Sequence, residues 1–376
     1  MNKKIWSKRL MFEYLHDIST SSNRKLVASF LNEVILSFFK PRKMNQMMTK
    51  YLLLITILAI STGCSETSNS PVEADKSTQT KLVKSNLVQN KTAPLVSAKW
   101  LKEHLNDANL VLLDASVLIE MDETGYKSIS GKDEYAKSHI PNARFADLKG
   151  NLSDQSSKKE FIMPSAEQFQ KAMRNLGVNK NSHVVIYARE NQSWPTRIWW
   201  MLRWAGFDKA SILNGGQNAW TELFIGSENA LTSEISNYSS GDFEINIRKE
   251  LVADRDRVLN AISDKNITIV DSLSPAHYQG NFAMYARKGH ITSAINLPSS
   301  NFVDESGYFL SIDDLDLMLD GKRKDKMITY CGGGIAASSV AFNLHRAGFS
   351  NVAVYMGSLE EWTENSENPM SIGDNP

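Results

Sequence analysis

Hydrophobic positions along the chain fall into short runs separated by amphipathic stretches. Ile267–Val270, Met327–Tyr330 and Val352–Tyr355 are runs rich in β-branched and aromatic residues. Their lengths and polar borders predict strands buried on both faces. Between the last two, Ala337, Val340, Ala341 and Leu344 recur at helical spacing, which predicts a helix with one apolar stripe. Gly348 stands where that helix should stop. Strand, helix and strand in succession predict right-handed crossovers and a mostly parallel sheet.

The same order of blocks occurs twice. "LVLLDAS", "YAKSHIPNARFADL", "HVVIYAREN" and "LRWAGFDKASILNGGQNAW" are echoed by "ITIVDSL", "YARKGHITSAINLPSSNF", "KMITYCGGG" and "LHRAGFSNVAVYMGSLEEW". Asp114 pairs with Asp271, His139 with His290, Tyr187 with Tyr330 and Trp220 with Trp362. An internal repeat of this kind makes each copy one unit of the fold. The expected class is α/β, with two domains at 93–224 and 247–370, each a mostly parallel sheet flanked by helices. Residues 225–246 carry few strong apolar runs and are expected to be a linker.

The chain has 42 basic and 42 acidic residues, a formal net charge of zero, which gives no global drive toward nucleic acid or an anionic membrane. Two cysteines in 376 residues cannot build a disulfide framework. Without a CxxC pair, an HExxH or an EF-hand pattern, a metal site has no support in the sequence. The apolar run after Lys50 ends at Cys64 and is short for a membrane span, so it reads as a signal-peptide core. Ser61, Thr62 and Gly63 before Cys64 resemble a lipoprotein cleavage box, which would make Cys64 a lipidated N-terminus and the protein exported, periplasmic or membrane-anchored. Residues 1–43 then read as an upstream extension of the gene, 1–64 together as extension plus signal, and 65–92 as a flexible Ser-, Thr-, Asn- and Lys-rich tether.

The second cysteine lies in "TYCGGGIAASSVAF". Cys331 follows a predicted strand directly, and the helix begins a few residues later. In an open α/β sheet ligands bind beyond the carboxyl ends of the strands. Gly332, Gly333 and Gly334 permit positive φ and let successive N–H groups converge as an anion-binding nest. The helix N-terminus adds about 0.3–1 kcal/mol for an anion at an exposed site. Both favour an anionic sulfur open to attack. The plainer alternative is a small hydrophobe at a strand end with a glycine turn behind it.

These motifs, with "GHITSAINLP" and "GFSNVAVYMGSLEEW", resemble a tandem-domain rhodanese-family sulfurtransferase over about residues 93–362. The resemblance implies that Cys331 takes the outer sulfur of a small anionic donor such as thiosulfate or 3-mercaptopyruvate. The persulfide then passes it to cyanide or a thiol acceptor, without metal or organic cofactor. It implies that the N–H groups of Gly332, Gly333, Gly334, Ile335 and Ala336 hold the anionic sulfur, and that the first copy is inactive and walls the cleft. Ala188 takes the place of Cys331 there, followed by "RENQSWPTR" with Pro195 removing a donor. Trp194, Arg197 and Trp199 could line that wall or simply pack between the domains.

The sequence departs from the family in three respects that bear on the donor. The loop lacks the basic residues of thiosulfate-preferring members, and Gly333 stands where mercaptopyruvate-type loops carry a hydroxyl. An arginine is also missing after Asp271. Leu273 stands two residues after Asp271, where such enzymes often carry a donor-binding arginine. Arg287 is the cation expected to replace it, since a guanidinium suits an oxyanion. His139 and His290 recur in both copies and are expected to be structural. A cysteine phosphatase would need an arginine where Ala337 stands. A persulfide carrier or redox sensor serving a partner protein remains the alternative to a small-molecule enzyme, and a sulfur-binding lipoprotein without catalysis a more distant one.

Overall fold

The computed structural model describes residues 92–122, 125–225, 230–319 and 326–376. The expectations for the leader, the tether and Cys64 lie outside the described residues. Both copies of the repeat belong to one compact unit.

The first copy runs β1 (Leu95–Val96), α1 (Ala98–His104), β2 (Leu110–Asp114), β3 (Val117–Asp122), β4 (Gly125–Ser130), α2 (Lys132–Lys137), β5 (Arg144–Phe145), α3 (Ala166–Asn175), β6 (His183–Tyr187), α4 (Ser193–Trp204), β7 (Ala210–Leu213) and α5 (Gly216–Glu222). The second runs β8 (Val252–Ala253), α6 (Arg255–Ser263), β9 (Ile267–Asp271), α7 (Pro275–Tyr278), β10 (His290–Ile291), β11 (Ile295–Asn296), α8 (Ile312–Met318), β12 (Lys326–Tyr330), α9 (Ile335–Arg346), β13 (Val352–Tyr355), α10 (Ser358–Trp362) and β14 (Met370–Ser371). Each copy builds a five-stranded parallel sheet, in the order β5-β2-β6-β7-β1 and β11-β9-β12-β13-β8. The orders match strand for strand. Helices cover the sheets, so the central strands are apolar along nearly their whole length, as a parallel sheet buried on both faces requires.

The two sheets meet through α4 and α9, the helices that follow β6 and β12. Both are almost wholly buried, with apolar residues on all sides. Trp199 meets Phe342 edge-to-face, centroids 4.8 Å apart at 82°, worth about 0.5–1.5 kcal/mol beyond the area it buries. One continuous apolar cluster runs through this contact and includes residues of both copies, among them Trp194, Trp199, Cys331 and Phe342.

The segment expected to be a linker is a strap on the first domain. Trp220 Nε1 donates to the Ala230 carbonyl at 2.6 Å. His139 and Thr232 exchange main-chain bonds of 2.8 Å. Phe243 is fully buried against Phe169 and Phe207. The strap is tied down by main-chain bonds and a few scattered apolar residues, among them Leu231, Phe243 and Ile245, which make no periodic pattern.

Candidate active site

The strand ends of the two copies are held by the same bonds. Asp114 Oδ1 accepts the Ser116 N–H at 2.9 Å, and Asp271 Oδ1 accepts the Leu273 N–H at 2.8 Å. The Tyr187 hydroxyl accepts the Ile140 N–H at 3.2 Å, and the Tyr330 hydroxyl accepts the Ile291 N–H at 3.0 Å. His139 Nδ1 lies 2.6 Å from the Tyr135 carbonyl, and His290 Nδ1 2.7 Å from the Tyr278 carbonyl. Both imidazoles are fully buried. Their duplication, down to Nε2 atoms 3.1 Å from the carbonyls of Glu234 and Asn375, makes them framework. Burial pushes both aspartates up. Asp271 reaches about 6 because desolvation outweighs the Tyr330 phenol, the Leu273 N–H and His290.

The copies diverge at the loops. Cys331 leaves β12, and its Sγ accepts the Gly334 N–H at 3.2 Å. Gly334 sits at φ +80°, which turns that N–H back onto the sulfur while its carbonyl accepts the Ser338 hydroxyl at 2.6 Å. The Cys331 N–H donates to Ser358 Oγ at 3.1 Å, and the Ser358 hydroxyl donates to the Tyr355 carbonyl at 2.7 Å. Leu359 and Glu360 donate their N–H groups to the carbonyls of Cys331 and Gly332 at 3.1 and 3.0 Å. The loop is thus stitched to the start of α10. Ser358 adopts φ +51°, a left-handed conformation that costs a non-glycine residue about 1–3 kcal/mol. Gly216 occupies the matching place in the first copy at φ +57°. Nothing in one copy alone marks Ser358, but its alignment with a glycine does.

The sulfur is less open than expected, because Cys331 is only 3% exposed. The Tyr285 hydroxyl stands where a Cβ on Gly332 would lie, so only glycine admits it. Tyr285 rides on a segment whose neighbours Phe282 and Met284 are exposed. Burial raises its phenol pKa most, with smaller contributions from Cys331 and Glu360. Gly333 is partly exposed, and a side chain there would come no closer than 3.5 Å to Glu360 Oε2. Ile335 and Ala336 are also half-buried, and as the opening turn of α9 their N–H groups have no intrahelical acceptor. Burial pushes the Glu360 carboxyl up. The first domain reaches this rim through Lys159, which pairs with Glu364 at 2.6 Å, and through Glu160, which pairs with Lys149.

Of the predicted loop residues Gly332 to Ala336, Gly334 is the one whose N–H is on the sulfur. Arg287 is committed elsewhere. Its guanidinium donates to the carbonyls of Trp362, Thr363, Asn365, Ser366 and Asn368 at 2.9–3.5 Å. This geometry makes it a staple between the Tyr285 segment and the turn after α10, in place of the donor-binding role expected from its charge. A run of outward carbonyls behind a short helix leaves no trace in sequence.

The cation beside the loop comes from the other domain. Arg197 on α4 is 1% exposed. Its guanidinium donates to the Gly334 carbonyl at 3.4 Å and the Phe161 carbonyl at 2.6 Å, and touches Met356 Sδ. The two tryptophans are packing residues. Trp199 Nε1 donates to the Ala210 carbonyl at 2.9 Å, and Trp194 lies against Phe161.

Two matched α/β sheets with a glycine-rich cysteine loop at the strand ends of one define a sulfurtransferase type of site, and comparison with known proteins agrees. The profile of the Rhodanese-like domain matches residues 97–223 and 254–365. The chain is 32% identical over 285 residues to 3-mercaptopyruvate sulfurtransferase of Escherichia coli (strain K12), covering 74% of this chain and 98% of that protein. It is 31% identical over 278 residues to thiosulfate sulfurtransferase of Gallus gallus, covering 71% and 92%. The crystal structure of SseA from Escherichia coli, described with the fold of 3-mercaptopyruvate sulfotransferases, superposes with a TM-score of 0.63 at 32% identity, over 71% of this chain and 99% of that one. The chain belongs to the rhodanese-like family, with two such domains, and is an enzyme of the rhodanese sulfurtransferase type.

Proposed function

We propose that the protein moves a sulfane sulfur from thiosulfate or 3-mercaptopyruvate to cyanide or a thiol through a persulfide on Cys331. The observation that carries this reading is the Gly334 N–H on Cys331 Sγ, at the carboxyl end of a parallel strand and the start of a buried helix. The thiolate attacks the outer sulfur of the donor. With thiosulfate the S–S bond breaks and sulfite leaves with the electron pair. With 3-mercaptopyruvate the C–S bond breaks and the proton of the donor thiol ends on the leaving carbon, giving pyruvate. The acceptor then attacks the outer sulfur of the persulfide, and the electron pair of that S–S bond returns to Cys331. This is covalent catalysis with ping-pong kinetics. The N–H groups of Gly334, Ile335 and Ala336 hold the negative sulfur through both halves, as an oxyanion hole holds oxygen. The two relatives named above support the donor classes.

Steady-state formation of thiocyanate and pyruvate tests the proposal. Cys331→Ser should lose transfer from both donors while its unfolding temperature stays within a few degrees. Full activity in that variant would overturn it.

Two observations favour a second reading, in which a partner protein loads or unloads the persulfide. Leu273 is partly buried where a donor cation was expected, and Arg287 is bound to carbonyls. Persulfide formation without turnover of small acceptors would select the carrier. Export through the apolar run before Cys64, with lipid on Cys64, is proposed from sequence alone. The mass of the mature N-terminal peptide tests it.

A further inference from the structure

Arg197 is a fully buried guanidinium without a carboxylate. Among the described residues no ion pair includes it, and its hydrogen-bond partners are two carbonyls and a thioether. Such a charge is costly unless an anion answers it. An arginine cannot relieve the cost by neutralising itself at ordinary pH. Burial lowers it only to about 10, and the one side chain acting against that shift is that of Cys331.

The geometry joins the two residues through one glycine. Arg197 Nη1 holds the Gly334 carbonyl, and the N–H of the same residue is on Cys331 Sγ. A Cβ on Gly334 would collide with Arg197 Nη1, so the close approach also requires this glycine. The titratable groups around Cys331 and its loop are the Tyr285 phenol, which interacts with Cys331, the Glu360 carboxyl beside Gly333, Lys159 and Glu160 of the first domain, which act on Glu360 and pair with Glu364 and Lys149, and Asp271 at the end of β9. Lys159 is engaged by Glu364 on the rim. Arg197 is the buried cation of this set.

We propose that Arg197, contributed by the domain without a cysteine, is a positioning residue and counter-cation for the anionic Cys331 sulfur, acting through Gly334. This rests on the reading of Cys331 as the sulfur carrier. The cysteine-free copy then supplies the charge that its sister's glycine-rich loop lacks. Met356 is the natural place to interfere, because its thioether already touches the guanidinium and a carboxylate there would compete with the sulfur for it.

The test is the rate of Cys331 alkylation by iodoacetamide against pH in the full chain, read by peptide mass spectrometry, with thermal unfolding as the fold check. Arg197→Met should move the alkylation midpoint up by about one pH unit or more, and Arg197→Lys should restore most of the shift. Met356→Asp should move the midpoint in the same direction with Arg197 still present, which keeps the test valid should Arg197→Met fail to fold. Thermal unfolding of Arg197→Met below the midpoint should be no worse than in the parent protein, since a buried uncompensated charge has gone. Midpoints unmoved in folded Arg197→Met or in Met356→Asp, in a protein that does take up sulfur, would overturn the role of Arg197 alone. A parent protein that never takes up sulfur would contradict the reading of Cys331, whatever the midpoints do.

Discussion

The two copies share a skeleton and differ in what they do with one loop. From β2 to α5 and from β9 to α10 the strand order, the aspartate–tyrosine pair at the strand ends, the buried histidine and the tryptophan at the end repeat bond for bond. After β6 the chain continues with Ala188 and Arg189, and Arg189 donates to the carbonyls of Glu134 and Ser138 in its own copy. After β12 it continues with Cys331 and Gly332, and the missing side chain makes room for Tyr285. One loop is filled by its own side chain. The other is emptied, stitched to α10 and backed by an arginine from its sister. The two copies thus share the frame and differ at this loop.

That difference can be broken most sharply at Gly334. Gly334→Val forces a β-branched residue into a φ of +80° and against Arg197, so sulfur transfer should fall by more than about 100-fold. Asn191→Val, at the aligned position of the first loop, should change it by less than about threefold. Equal losses from both would mean that the two loops are functionally alike.

Next in size is the shared frame. Asp271 has a folded value of about 6 against an ordinary 3.8, so its ionisation is penalised in the folded state. The group therefore favours folding most below the ordinary value. That contribution falls as pH rises through the folded value and is flat above it, a span of about 3 kcal/mol. The unfolding free energy of Asp271→Asn relative to the parent should climb by about that amount between about pH 4 and pH 7. Asp114→Asn should climb in the same direction, because burial raises that aspartate too. A difference independent of pH would show that the two carboxyls are not the strained members of the frame.

A smaller effect is expected at Ser358. Ser358→Ala keeps the left-handed strain but removes the acceptor of the buried Cys331 N–H, costing about 1–3 kcal/mol in denaturant unfolding. Gly216→Ser, the reciprocal change, should also destabilise, since its Cβ would press on the Ala188 carbonyl. If Ser358→Ala is neutral, the hydroxyl is not what justifies a strained residue there. The smallest effect belongs to Gly333. Its missing side chain faces the partly exposed rim, so Gly333→Ala should leave transfer within about threefold. A large loss would mean that all three glycines are needed, as the nest expected from sequence implies.

Much of this was legible before the structure. The strands expected at 267–270, 327–330 and 352–355 are Ile267–Asp271, Lys326–Tyr330 and Val352–Tyr355. The helix between the last two ends at Arg346, with Gly348 at φ +91° just beyond it. Periodic burial and stop signals are local properties, and so they can be read in a line. The repeat also exposed the framework histidines. Tyr285 was not legible as a member of the site, Ser358 was marked only by its alignment with Gly216, and Arg197 was named as a wall residue without its place at the Gly334 carbonyl. Arg197 meets Gly334 across 137 residues of chain, and a buried arginine carries no apolar pattern to announce its burial. Arg287 misled for the opposite reason. Its charge was visible, while the carbonyls that consume it were not.

The most direct measurement is the intact mass of the purified full chain after exposure to thiosulfate or 3-mercaptopyruvate with no acceptor. The account predicts a gain of one sulfur atom, located on the peptide carrying Cys331, lost on adding cyanide and absent from Cys331→Ser. A sulfur that still appears in Cys331→Ser, or none from either donor in a protein that turns both over, would contradict it.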